Sequence, residues 1–92
     1  MAIGNIQAGS ALRLTASGVV KADQGVLIGF FVASSTSGTV KLWDNASAGS
    51  GTVLLNTTAA ITAPAYFPCP VSFSNGLYAT IGGTADITFI YA

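Results

Sequence analysis

The chain has 92 residues and a formal net charge of zero, from three basic and three acidic side chains, with no histidine and no glutamate. Those absences exclude Ser-His-Asp and Cys-His nucleophile systems and the commonest metal ligand, and the balanced charge offers no footprint for nucleic acid or anionic lipid. At 51% hydrophobic and 7% charged, so short a chain leaves apolar area outside any core it can build, and an assembled state is expected.

Helix signals are scarce, whereas Val, Ile, Thr, Phe and Tyr fall in short runs punctuated by Gly, Asn, Ser and Pro. The expected fold is all-β: one domain over 1–92, a compact antiparallel β-sandwich or jelly-roll-like barrel of about eight short strands. Residues 1–10 are expected to form an extended N-terminal arm. They carry no basic region of the secretory kind, and Arg13 interrupts the first apolar stretch, so synthesis in a cytoplasm is expected.

Strands are expected over 11–15 and 18–22, then over 25–33. The apolar run there, Val26 to Ala33, is far short of the roughly 20 residues that cross a membrane. Both alternating sets in this run are apolar, so it is expected to be covered on both sides. The segment 34–38, Ser-Ser-Thr-Ser-Gly, reads as a hairpin loop leading into a strand over 38–44. In that strand Val40 and Leu42 share one face, while Thr39, Lys41 and Trp43 share the other. Trp43 is a candidate contact residue; the alternative places it beneath a flexible 45–51 loop.

Further strands are expected over 52–56, 70–74, 77–81 and 84–91. Asn75-Gly76 and Gly82-Gly83 read as two-residue hairpin turns. Counting outward from them aligns Phe73, Tyr78 and Ile87, and puts Val71, Thr80, Ala85, Phe89 and Tyr91 on the same core face. The reverse face then carries Leu77, Ala79, Ile81 and Ile90 within or beside an uncharged run from Asn45 to Ala85. A soluble monomer would place charge there.

No catalytic, cofactor-binding or metal-binding residue is expected. Cys69, between two prolines, has no base to activate it and reads as a small buried hydrophobe. The three aspartates show no spacing that pairs them as acid and base. Asp44, Asn45 and Ser47 could offer oxygens to calcium but are too few, so turn formation is the better reading. Asn45-Ala46-Ser47 and Asn56-Thr57-Thr58 match the glycosylation pattern by letter only.

The segments GVLIGFFVA (Gly25 to Ala33), GTVKLWDN (Gly38 to Asn45) and GLYATIGGTADITFIY (Gly76 to Tyr91) resemble strands and turns of small tailed-bacteriophage virion proteins, most nearly the capsid decoration, or cement, proteins. The resemblance implies a compact β domain, made in the bacterial host cytoplasm and held on the capsid surface of the virion. It also implies a homo-oligomer, with a trimer favoured, bound to the major capsid protein without enzyme activity. Leu77, Ile81 and Ile90 are then expected to bury between copies, and Trp43, Tyr66 and Phe67 to meet a partner. The competing expectation is a tail-fibre or baseplate module that reads host-surface carbohydrate through Trp43 and the polar loops.

Overall fold

The computed structural model describes residues 9–58 and 60–92; most of the expected N-terminal arm lies outside them. The chain is all-β. Its elements are β1 (Ser10–Leu14), β2 (Gly18–Lys21), β3 (Gly25–Asp44), β4 (Thr52–Leu55), β5 (Ala65–Phe73) and β6 (Leu77–Tyr91). All pair antiparallel in one six-stranded sheet.

The centre of the sheet is a ribbon of two long strands, β3 and β6, paired from Leu27↔Tyr91 to Asp44↔Leu77. Along the free edge of β6 run β1, opposite Ile87 to Tyr91, and β2, opposite Leu77 to Ala79. Between them Ser17 continues the ladder, its hydroxyl accepting from Ile81 N–H at 2.9 Å. Along β3 run β4, opposite Leu42 to Asp44, and β5, opposite Gly25 to Val32. The segment between them stays bonded to β3 through Thr58 N–H to Val40 carbonyl at 3.0 Å and Ile61 N–H to Gly38 carbonyl at 2.8 Å. The ribbon is therefore flanked on both edges on either side of its middle.

At roughly 3.3 Å per residue a straight β3 would reach about 66 Å, yet the longest dimension of the molecule is 44 Å. The ribbon bends. The register shifts at Leu27/Gly29, Val32/Ser34 and Thr36/Thr39, each time placing an extra residue in β3, and an extra residue on one strand bends and twists a ladder. The sharpest site sets Ser37, at φ 53°, against Gly83, at φ 67°. Gly83 has no substitute there, since a Cβ would run into the Ser37 carbonyl. Folding back brings both ends of β3 to one place: Gly25 pairs Phe73, and the Asp44 carboxylate accepts from the next amides, Ser74 and Asn75, at 3.1 and 2.8 Å.

Several expectations are corrected by this bend. The segment 34–38 does not reverse the chain, because 25–33 and 38–44 are halves of β3 and both pair β6. Gly82-Gly83 likewise lies within β6, so 77–81 and 84–91 are one strand. Asn75-Gly76 joins β5 to β6, which do not pair with each other, and neither residue has the positive φ of a type I′ turn. The row Phe73, Tyr78, Ile87 is replaced by Phe73↔Gly25, Tyr78↔Trp43 and Ile87↔Val32.

Removing the reversal at Gly82-Gly83 also resets which residues of β6 face inward. Odd-numbered positions share a face on both sides of the bend, so Leu77, Ala79, Ala85, Ile87 and Phe89 are all buried. They join Val20, Leu27, Phe30, Val32, Val40, Leu42 and Phe73 in one core. Phe30 sits at its centre, with ring centroids 5.4 Å from Phe67 and 5.8 Å from Phe89. Leu77 is thus a core residue, not an outward apolar one.

Candidate functional site

With the inner face closed by the chain itself, what can meet a partner is the outer face, which the bend divides in two. The first half carries the outward residues of β2, the start of β6, the end of β3 and β4. Trp43 lies here, opposite Tyr78 and Val53. Its indole N–H donates to the Thr80 hydroxyl at 3.0 Å, and the Lys41 ammonium rests 4.3 Å from its ring centroid. The 45–51 loop lies close over it: a Cβ on Gly49 would stand 3.0 Å from Thr80 Oγ1, 3.3 Å from Trp43 Nε1 and 3.4 Å from the Tyr78 ring.

The loop itself is ordered by an Asx turn. Asn45 Oδ1 accepts from Ser47 and Ala48 N–H at 2.8 and 3.0 Å, and its amide donates to the Ser50 carbonyl at 3.1 Å. The oxygen atoms that might have suggested calcium are committed to this turn and, for Asp44, to backbone amides. Among the described residues no group of three acidic, Cys or His side chains could hold a metal. Trp43 takes the arrangement beneath its own loop. A sugar stacking on the indole would have to displace Lys41 from the ring.

The second half carries the outward residues of β1, the end of β6, the start of β3 and β5, and among the described residues no loop is bonded across it. Val26, Phe31 and Tyr66 are 43%, 39% and 47% exposed. Phe31 and Tyr66 are direct cross-strand partners. The Tyr66 ring folds over Gly29, where a Cβ would collide with the phenol, so glycine is what allows the aromatic to lie flat on the sheet. Pro68, Pro70 and Ser72 extend the exposed strip along β5, and Ile90 lies half-buried on neighbouring β6.

This half has two charged side chains, and they neutralise each other. Arg13 of β1 grips Asp86 of β6 through both carboxylate oxygens, at 2.8 and 2.9 Å. The pair holds the Asp86 carboxyl below its ordinary range, chiefly through the side-chain hydrogen bond.

Of the residues expected to meet partners, Tyr66 is exposed and Ile90 is on the bare face. Phe67 turns inward, half-buried against Phe30, because it alternates with Tyr66 along β5. Ile81 is half-buried against the core, and Leu77 is wholly inside it. The expectation that 25–33 is covered on both sides is corrected: Val26 and Phe31 stand exposed on its outer side. These are the surface residues the sequence reading missed. The two-sided apolar run was their signal, read as burial rather than as a face awaiting cover.

Cys69 alternates inward with Phe67 and Val71 and packs against the core, and burial raises its pKa. The described surface contains no enclosed pocket. No family model, no curated protein and no solved structure matches this chain.

Proposed function

We propose that this chain is a structural subunit that works by surface contact, and specifically a capsid decoration subunit. It would bind the major capsid protein as a homo-oligomer on the virion surface. Its fold in this reading is a β-sandwich of jelly-roll type, the four long bent tracks (β1 with β2, β6, β3, β4 with β5) each passing through both layers. A protein that binds assembled shell and not free subunits stabilises the shell by mass action, and no chemistry is needed.

One observation carries the reading. Among the described residues the chain closes its own core and lays its 45–51 loop over Trp43 on one outer face, yet leaves the other outer face apolar, neutral and bare around Phe31 and Tyr66. Bare apolar patches of this kind mark contact surfaces. The absence of histidine and glutamate from the sequence and the resemblance of its strands to virion proteins support the same reading. Quantitative mass spectrometry of purified particles tests it. A copy number comparable to that of the major capsid protein is expected; a few copies per particle, or none, would remove the decoration role.

A further inference from the structure

We infer that the bare outer face built on Val26, Phe31 and Tyr66 is a self-association surface, occupied by the same face of a second copy about a two-fold axis. This deepens the structural-subunit reading, rests on its identification of that face as the contact surface, and puts a two-fold dimer in place of the trimer that the resemblance favours.

The choice of a second copy follows first from charge. A two-fold contact sets each patch against itself, so any net charge on it would face its own sign. Here the two charges, Arg13 and Asp86, are joined in a two-point ion pair within one chain. The remainder is aromatic, aliphatic, proline, Ser and Thr. A strongly charged partner would find nothing to complement, whereas an identical neutral face meets no repulsion.

Size and edge chemistry agree. The strand segments of this half cover about 500 Å² of sheet at the usual rise and strand spacing. Two copies face to face would bury about 1,000 Å², the threshold for a specific though reversible interface. Association by strand addition at the β5 edge is disfavoured, because Pro68 and Pro70 lack amide donors and sheets tolerate proline where the missing donor faces a free edge. On this side of the half the face offers a contact that the edge does not. The other outer face offers a smaller apolar surface: Lys41 and the 45–51 loop lie on Trp43, and of the large apolar side chains there Val53 is the exposed one.

The test is sedimentation equilibrium on the isolated full chain over a concentration series. The expected result is a reversible equilibrium between the 9.2 kDa monomer and a dimer of twice that mass. Phe31→Lys should weaken the dimer about 30-fold or more, as loss of a central aromatic does. Val26→Lys, a second exposed position, should do the same, so the test survives if one variant fails to fold. Unchanged circular dichroism and urea midpoint would certify each variant. A chain that stays monomeric to millimolar concentration overturns the inference. So does a trimer, or a dimer indifferent to both folded variants. Particle copy number is independent of this contact, so a monomer that still saturates shells would remove the dimer and leave decoration standing.

Discussion

Leu77→Ala separates the bent ribbon from the hairpin register that the Gly82-Gly83 pair suggests. In the hairpin register Leu77 is an outward residue beside solvent. In the structure it opens β6 between Lys21 and Asp44, is 0% exposed, and belongs to the core shared by both halves. Truncating a fully buried leucine removes its transfer free energy and leaves a cavity, together about 3 kcal/mol within an observed range of about 2.7–5. A chain of this length has roughly 5–14 kcal/mol in total. The loss would therefore lower the melting temperature by about 12–24 °C. Equilibrium urea unfolding, followed by far-ultraviolet circular dichroism and by fluorescence of the single Trp43, measures it, with Val53→Ala as the exposed control. The control should stay within about 0.5 kcal/mol. A Leu77→Ala loss no larger than that, at unchanged m-value, would refute the burial of Leu77 and the continuous β6 with it.

The bend makes its own prediction: Gly83→Ala should cost about 1–3 kcal/mol, because its φ of 67° disfavours a side chain and the new Cβ meets Ser37 backbone. Gly82→Ala should cost less, since the atoms its Cβ meets belong to the Thr39 side chain; urea midpoints of the two variants compare them. Asp44 has its pKa lowered by backbone hydrogen bonds, from Asn75 first and then Ser74. A carboxyl depressed in the folded state gives stability that is complete above its unfolded value and is lost as pH falls through its folded one. Urea midpoints should therefore drop between neutral pH and the acid side of 3.8, less steeply in Asp44→Asn; equal slopes would deny the latch. Cys69, raised by burial, should react with iodoacetamide much more slowly in the native chain than in urea. Comparable rates would place it on the surface.

The all-β class was legible because it rests on local chemistry: β-branched and aromatic runs make strands wherever a sheet can use them. Each of the six strands overlaps an expected one, but β3 and β6 each join two of the eight expected strands and most of β5 lies upstream of its expected start. What local chemistry could not supply was the difference between a place where the chain reverses and a place where a paired ribbon bends. Ser34 to Gly38 and Gly82-Gly83 have turn composition for the same physical reason, since a bend needs small residues and positive φ as a turn does. Their meaning lies in their being opposite each other, Thr36↔Thr84, which is a long-range fact. The error then propagated by parity. A two-residue reversal exchanges the faces of one arm, so it sets Leu77 and Ala79 outside although it leaves Ala85, Ile87 and Phe89 inside, where they are. In β5 the expected strand starts only at residue 70, whereas the alternation runs from Ala65 through Pro68 and Pro70, which a central strand would not tolerate. They are compatible with the edge strand that β5 is.

The scarcity of charge takes on a definite meaning once each ionised group is followed to its partner. Arg13 and Asp86 tie β1 to β6. The Lys21 ammonium donates to the Ala92 carbonyl at 3.3 Å, and Asp44 holds the amides that lead from β5 into β6. Lys41 rests on Trp43, and Asp23 accepts from the neighbouring Gln24 amide at 2.7 Å in the β2–β3 turn. All six charged side chains are thus engaged within their own chain, most of them fastening the edges and the open end of the folded ribbon. A surface meant to stay solvated as a monomer would carry charges with no such duty, and nowhere more than on the face around Phe31 and Tyr66. Their absence there is the observation on which the proposed self-association rests.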